Sequence, residues 1–233
     1  MIHLTKRLQA AAGLVPEGAC IADIGTDHAY LPVALCTSGR CPSAIAADIA
    51  EGPLSAARSH VQGAGLASSI ECRQSDGLQH IRPGEVDGAV FCGMGGPLIE
   101  HLLEQSPDVV RSLSFLILQP QSHASRLRRY VYSQGWHITA ERLVEEEGRL
   151  YEMMKAEPGC GEIPDDWLYD VGPCNWQTRN PLLPRLIRQL IEKDRMICQG
   201  LEKSQQDQGG RQEQLRTHIQ TMEALLCRYN SVK

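Results

Sequence analysis

The chain has 233 residues, of which 42% are hydrophobic, and its mean hydropathy is −0.27. These values exclude a disordered or fibrous protein and allow one good core with a smaller appendage. No apolar stretch approaches the roughly 18 residues of a membrane span, and the N-terminus lacks the apolar segment of a signal peptide. We therefore expect a cytoplasmic protein that makes no membrane contact.

The nine cysteines and the distribution of charge indicate which metals and macromolecules the protein can bind. No C-x-x-C pair occurs among the cysteines, which predicts reduced thiols and no metal site. The net charge of −5 is unevenly spread: from Leu182 onward nine Lys or Arg face six Asp or Glu, a balance of +3, which leaves 14 against 22 before it. This asymmetry permits a nucleic-acid partner for the C-terminal part.

The first two thirds of the chain alternate strand and helix patterns. Helices are predicted over 4–15, 29–37, 54–62, 97–105 and 124–134, and strands over 20–23, 44–48, 70–74, 87–92 and 113–118. Such alternation predicts right-handed crossovers and a mostly parallel sheet, hence an α/β fold. Residues 137–145 and 150–157 flank a polar turn, which predicts a terminal β-hairpin.

The last third has a different pattern. Residues 158–184 contain five prolines and three glycines, so an irregular connector is expected there. Beyond it, apolar residues follow helical spacing from Leu183 to Leu201 and from Leu215 to Tyr229, on either side of Gly209-Gly210. We predict an antiparallel helical hairpin and three segments: an α/β domain at 1–160, a linker at 161–181 and the hairpin at 182–233.

The first predicted strand leads into a loop with the features of a ligand-binding turn. Asp23 is followed by Gly25, which lets a ligand approach the backbone, at the place where open α/β sheets bind nucleotide-like ligands. Asp27 lies where it attracts a cationic group and repels a pyrophosphate, and the G-x-G-x-x-G fingerprint is absent. A sulfonium cofactor is therefore favoured over a dinucleotide.

Loops after the next three strands extend this constellation. Asp48 can accept hydrogen bonds from both ribose hydroxyls of an adenosine cofactor, or it can cap the next helix. Asp76, followed by Gly77, can reach the exocyclic amine of an adenine, or it can form a simple Asp-Gly turn. Gly93 and Met94 open a Gly-Met-Gly-Gly run whose backbone can line a ligand closely.

Five motifs together resemble one family. They are Asp-Ile-Gly-Thr-Asp-His-Ala-Tyr-Leu-Pro at 23–32, Gly-Met-Gly-Gly at 93–96, Leu-Ile-Leu-Gln-Pro at 116–120, Tyr151-Glu152 and Gly172-Pro173. The chain resembles the bacterial tRNA (adenine-22)-N1-methyltransferases over nearly its whole length. The resemblance implies a Rossmann-like class I methyltransferase sheet followed by the hairpin. It also implies methyl transfer from S-adenosylmethionine to N1 of adenine 22 in tRNA.

The resemblance also implies roles for individual residues. Asp23, Gly25, Asp48, Asp76, Gly77, Gly93 and Met94 would bind the cofactor. Asp27 would stabilise the positive charge that develops on adenine, and His28 could share this work or serve as a helix cap. Tyr30 would stack on the target base, or simply pack within the fold. Gln121 and Asp76 depart from the pattern, since the family often has asparagine at both positions.

N1 lies on the Watson-Crick edge of adenine, so the target nucleotide must be unpaired before it reacts. Arg126, Arg128 and Arg129, with the basic hairpin, would contact phosphates, unless they form an ordinary solvated surface. Two other functions stay open at this point. One is a methyltransferase acting on a small molecule or protein, and the other is a non-catalytic RNA-binding protein on the same fold.

Overall fold

A computed structural model describes residues 4–159, 161–204 and 210–231. The chain divides into two compact units, Met1–Pro164 and Asp165–Lys233. Gly209 of the predicted helix–helix turn and Cys160 lie outside the described residues. Within the described ranges, no helix is long and apolar enough to cross a membrane.

The first unit is built on a seven-stranded sheet. Its strands are β1 Ile21–Ile24, β2 Ala44–Asp48, β3 Ile70–Gln74, β4 Gly88–Gly95, β5 Phe115–Ser122, β6 Trp136–Glu146 and β7 Arg149–Pro158. Their order is β3-β2-β1-β4-β5-β7-β6. The first five strands pair in parallel, whereas β7 pairs antiparallel with both β5 and β6. The predicted parallel sheet with a terminal hairpin is confirmed.

Six helices accompany this sheet in the described part of the first unit. They are α1 Lys6–Ala12, α2 Tyr30–Thr37, α3 Glu51–Gly63, α4 Gly96–Glu104, α5 Pro107–Ser112 and α6 Ala124–Ser133. The sequence pattern did not predict α5, because only Val109 of its six residues is buried and so no apolar period is visible. The first helix is shorter than predicted. The Thr5 side chain caps its start and Gly13 follows its end.

The carboxyl ends of β4 and β5 extend beyond the predicted strands. Met94 pairs with Pro120 and Gly95 with Ser122, across two irregularities in the register. Interrupted pairing of this kind often re-aims side chains next to functional sites. The Gly-Met-Gly-Gly run and the Gln-Pro-Gln run therefore lie side by side at one edge of the sheet.

The second unit contains four helices in its described residues. They are α7 Leu168–Val171, α8 Pro173–Gln177, α9 Leu183–Ser204 and α10 Arg211–Ser231. The predicted irregular connector is wrong in part, since α7 and α8 form within it. Arg195 contacts Glu223 at 2.6 Å and Arg216 contacts Glu202 at 3.4 Å, so a later residue of α9 meets an earlier one of α10. The helices are antiparallel, as predicted.

The packed face of α9 differs from the predicted apolar series. Ile187, Ile191, Asp194 and Cys198 are buried, whereas Leu190, which lies within the apolar series from Leu183 to Leu201, is only half-buried. Asp194 is an acid within an otherwise apolar series. It is buried because a charged partner from α10 compensates its charge.

That partner is His218. Its Nδ1 lies 2.5 Å from Asp194 Oδ2 and its Nε2 lies 3.3 Å from Asp170 Oδ2. The hydrogen bond with Asp170 raises the pKa of His218 from 6.5 to about 9, burial opposes the rise, and Asp194 adds to it. The protonated imidazole thus lies between two carboxylates.

This cluster predicts a stability that depends on pH. Because the folded-state pKa of His218 is raised, its contribution is fully present below pH 6.5 and is lost as the pH rises through about 9. Urea unfolding followed by tryptophan fluorescence should show a stability decline over this range. His218→Gln should flatten the decline, and an unchanged pH slope in that variant would contradict the assignment.

Candidate active site

The site begins at the end of β1 with a buried carboxylate. Asp23 is 5% exposed, and its Oδ2 accepts a 2.6 Å hydrogen bond from Thr26 Oγ1. Burial raises the pKa of Asp23 to about 7, against the lowering effect of the Thr26 hydrogen bond and with help from the Asp48 charge. A ligand cation beside Asp23 would favour its charged form.

The turn after β1 requires a residue without a side chain. Gly25 has φ +69°, and a Cβ on it would lie 2.3 Å from Met94 Cε. Met94 belongs to the run after β4, so these two predicted site residues are in contact. A residue with a side chain would be strained at this φ, and its Cβ would have to displace Met94.

Asp48 connects the end of β2 to the first turn. Its Oδ2 accepts a hydrogen bond from Asp27 N at 3.3 Å, and its Oδ1 accepts one from Ala50 N at 2.9 Å. Helix α3 begins at Glu51 with Ala50 as its N-cap, so the helix-cap alternative for Asp48 is wrong. A carboxylate oxygen can accept two hydrogen bonds, so each Asp48 oxygen has capacity left for a ligand hydroxyl.

Asp27, His28 and Tyr30 form a polar and aromatic group at the start of α2. Asp27 Oδ1 lies 3.4 Å from His28 Nε2, and these side chains are 69% and 45% exposed. The Tyr30 ring, 44% exposed, lies 5.6 Å from the His28 ring and 5.0 Å from the His60 ring. Since the N-cap of α2 is Ala29, His28 does not cap that helix.

A buried amide organises the loop after β4. Gln119, which is fully buried, accepts hydrogen bonds at Oε1 from Gly93 N at 3.1 Å and from Arg7 Nη1 at 2.7 Å. Gly93 has φ +82°, a conformation that favours glycine. Arg7 lies on α1 and was not predicted, because one basic residue on a short helix carries no local signal of a site.

These elements surround a cavity of about 260 Å³. Its lining includes Arg7, Asp23, Gly25, Asp27, Tyr30 and Gly93. Gln121, where the family often has asparagine, lines it as well. A larger cavity of about 360 Å³ is lined by residues such as Leu103, Val110 and Trp136 and by none of the predicted site residues.

Asp76 and Gly77 lie at the end of β3 and outside this lining. Asp76 is exposed, while Gly77 is buried where a Cβ would come within 2.8 Å of Leu102 Cδ2. The Ser75 hydroxyl donates to the Gly77 carbonyl at 2.9 Å. Gly77 therefore has a packing role, and Asp76 presents its carboxylate at the surface.

The prediction that Arg128 contacts phosphate is wrong. Arg128 is 0% exposed, with Nε 2.7 Å from Glu141 Oε1 and Nη2 2.7 Å from Glu152 Oε2. Burial disfavours the charged guanidinium, but the two carboxylates outweigh this effect and raise the pKa of Arg128. Glu152, part of the motif in the β-hairpin, is thus an internal counter-ion.

The other two arginines of α6 are more accessible. Arg126 is exposed and lies 2.8 Å from the buried carboxylate of Glu100, and Arg129 is half-buried. Their phosphate contacts stay a prediction. Among the described residues, no group of three or more His, Cys, Asp or Glu side chains is arranged to hold a metal ion.

The comparisons with known proteins begin with a family model. The model described as "Methyltransferase domain" matches residues 4–154, which include the whole cavity lining. The sheet order, the glycine turn after β1 and this match define a methyltransferase with a Rossmann-like fold.

Individual relatives define the family more narrowly. The tRNA (adenine(22)-N(1))-methyltransferase of Bacillus subtilis (strain 168) is 43% identical over 158 residues, which cover 68% of this chain and 66% of that relative. The crystal structure of the B. subtilis M1A22 tRNA methyltransferase TrmK is 34% identical, with a TM-score of 0.85 over 98% of this chain and 99% of that one. The chain belongs to the tRNA (adenine(22)-N(1))-methyltransferase family.

A third relative adds a bound cofactor. It is the Streptococcus pneumoniae protein Sp1610, a putative tRNA (m1A22) methyltransferase, whose structure in complex with S-adenosyl-L-methionine has a TM-score of 0.86 to this chain. The two are 31% identical, and the match covers 96% of this chain and 100% of that one.

Proposed function

We propose that this protein transfers a methyl group from S-adenosylmethionine to N1 of adenine 22 in tRNA. The observation that carries the proposal is the cavity lined by Asp23, Gly25, Asp27 and Gly93, in a chain 43% identical to a relative named for this reaction. We also propose that residues 1–160 hold the catalytic machinery and that the hairpin of 182–233 contacts RNA. The match of the family model to residues 4–154 supports the first part.

The residues around the cavity fit S-adenosylmethionine, which supplies the methyl group on a sulfonium. The Gly25 turn, where a Cβ would clash with Met94, admits a ligand against the backbone. Asp48, held by Asp27 N and Ala50 N, is suited to accept the ribose hydroxyls. The carboxylates of Asp23 and Asp27 favour a cation over the pyrophosphate of a dinucleotide.

In the proposed reaction the lone pair of adenine N1 forms the new N–C bond as the sulfur–methyl bond breaks. N1 is already nucleophilic, so no strong base is required, and positioning and electrostatics dominate. Asp27 and its neighbour His28, 3.4 Å away, offer a carboxylate–imidazole pair to the charge that develops on adenine. The exposed Tyr30 ring offers a surface on which the unpaired base can stack.

Mapping the methylated position tests the proposal. The purified protein is incubated with S-adenosylmethionine and a tRNA transcript, and reverse-transcription stops at N1-methyladenine are read. We expect a stop at position 22, and none in a matched transcript carrying guanine there. Cofactor binding without any methylation would support a non-catalytic RNA-binding protein. Methylation of a small molecule or protein, and not of tRNA, would support a methyltransferase with that other substrate.

RNA contact by the hairpin is supported by its surface charges. Arg188 and Lys193 are exposed on α9, whereas Arg195 and Arg216 are paired with glutamates. The double variant Arg188→Gln/Lys193→Gln should lower the slope of log affinity for tRNA against log salt by about 0.7–0.9 per lost contact. Filter binding between low and moderate salt measures the slope.

The control for this variant is Gln189→Ala, which changes an exposed neutral residue between the two cations. It should leave the salt slope unchanged. A salt slope in the double variant equal to that of the unmodified protein would contradict RNA contact by Arg188 and Lys193. It would leave Arg126 and Arg129 as the candidate phosphate contacts.

A further inference from the structure

The loop that holds Asp27 and His28 has a strained backbone. Asp27 has φ +54° and Ala29 has φ +56°, so two residues that carry side chains adopt the left-handed conformation on either side of His28. Such a conformation persists where contacts from the surrounding structure fix it. The contacts that fix this loop therefore also place the Asp27 carboxylate at the cavity.

The backbone carbonyl of His28 lies between these two residues and needs a donor from outside its own helix. In an α-helix a carbonyl accepts from the amide four residues later, but residue 32 is proline, which has no N–H. His60 Nδ1, on α3, lies 2.8 Å from the His28 carbonyl oxygen, across 32 residues of sequence. Because a carbonyl oxygen only accepts, this hydrogen bond requires a proton on Nδ1 of His60.

His60 also contacts an aromatic side chain of the same loop. Its ring lies 5.0 Å from the Tyr30 ring in an edge-to-face arrangement, and the Tyr30 ring lies 5.6 Å from that of His28. His60 is half-buried, whereas Tyr30 is 44% exposed. One imidazole thus contacts the loop both at a backbone oxygen and at an aromatic ring.

Helix α3 is a rigid support for His60. Leu54, Ala57 and Val61 of this helix are buried, and the helix packs on β2 and β3. The position of His60 is therefore set by the core and not by the loop that it contacts. A side chain on a packed helix places a neighbouring group more precisely than a second loop would.

We infer that His60 is a positioning residue for the methyl transfer. Its Nδ1–H holds the His28 carbonyl, and so fixes the strained backbone that places the Asp27 carboxylate and the Tyr30 ring beside the target adenine. His60 is not among the residues that line the cavity, so it acts through the loop and not on the reacting atoms. This inference rests on the proposed function and adds α3 to the elements that set its geometry.

The position of the proton on His60 tests the hydrogen bond directly. In protein labelled with ¹⁵N at histidine, long-range ¹H–¹⁵N correlation spectra distinguish a neutral ring protonated at Nδ1 from one protonated at Nε2. The signals lost in His60→Phe assign the residue. We expect a proton on Nδ1. A proton on Nε2 alone would overturn the inference, because the Nδ1 lone pair would then repel the carbonyl oxygen.

Two substitutions separate the hydrogen bond from the ring contact. His60→Phe keeps a ring and removes the donor, whereas His60→Asn removes the ring and keeps a donor nitrogen bonded to Cγ. His60→Phe should lower the single-turnover rate of tRNA methylation by about 10- to 100-fold, because small displacements of reacting groups are this costly. His60→Asn should recover most of the rate. In both variants S-adenosylhomocysteine affinity, measured by calorimetry, should change by less than about threefold.

His101→Phe is the matched control. It makes the same change at an exposed histidine of α4, which contacts Gln105 of its own helix at 2.8 Å. It should leave both the methylation rate and the cofactor affinity unchanged.

Three kinetic outcomes would overturn the inference. Normal turnover by His60→Phe would mean that the hydrogen bond does not position the loop, and an equal loss in His60→Asn would assign the effect to the ring. A loss of S-adenosylhomocysteine affinity as large as the loss of rate would make His60 a support of the cofactor site. Failure of the unmodified protein to methylate tRNA would instead refute the proposed function itself.

Discussion

Replacing Asp27 with asparagine is expected to lower the rate of methyl transfer by about 10²–10³ and to change cofactor affinity much less. The carboxylate is 69% exposed at the cavity, next to His28, where it can face the cation forming on adenine. Asp27 contributes its backbone amide, rather than its side chain, to the contact with Asp48. Single-turnover methylation of a tRNA transcript measures the rate, and calorimetry with S-adenosylhomocysteine measures the affinity.

Asparagine is the appropriate substitution because residue 27 has φ +54°, a conformation that asparagine tolerates better than alanine. The turn should therefore survive the change. Glu17→Gln provides the control, since it removes one negative charge from an exposed site outside the cavity lining. Near-normal turnover in Asp27→Asn would give Asp27 a structural role only.

The second large effect is expected from Arg128→Met. Removing the guanidinium leaves Glu141 and Glu152 without their shared counter-ion, and Glu141 is fully buried. The free energy of unfolding should fall by about 3–5 kcal/mol, the cost of leaving a buried charge uncompensated. Urea unfolding at neutral pH, followed by circular dichroism, measures the change.

Arg111→Met is the matched control, because Arg111 pairs with Asp108 and both side chains are exposed. That variant should lose less than about 1 kcal/mol. The triple variant Arg128→Met/Glu141→Gln/Glu152→Gln should recover part of the stability, since no buried charge is left unpaired. A loss for Arg128→Met as small as for Arg111→Met would contradict the internal role. If Arg128→Met instead lowered the salt slope of tRNA binding, the prediction that Arg128 contacts phosphate would be supported again.

Local sequence patterns were sufficient to predict those features whose conformation depends on residues close together in the sequence. The structure has the bounds predicted for β2 and β3. In β2 the reason is a short, buried apolar run, which leaves little choice of conformation. The turn at Glu147 and Gly148, where both residues have positive φ, is likewise a property of the residues themselves. The acids and glycines at the strand ends could be grouped because the carboxyl ends of parallel strands share one edge.

Sequence patterns were insufficient to predict whether a long basic side chain is exposed or buried. Arg126 and Arg128 are two residues apart on one helix, yet Arg126 is exposed and Arg128 is fully buried. The difference comes from Glu141 and Glu152, which are 13 and 24 residues away along the chain. A flexible basic side chain turns inward only where the fold supplies counter-ions for it.

The sequence alone determined the α/β sheet, the terminal β-hairpin, the antiparallel helices and the loop that contains Gly25 and Asp27. Only the tertiary structure brought Arg7 to Gln119, across 112 residues, and so completed the cavity with a positive charge. The backbone conformation at a strand end depends on the residues next to it in the sequence, so it can be predicted from the sequence. The partner of a charged side chain depends on which distant segments pack together, and for Arg7 that was decided by the packing of α1 against β6.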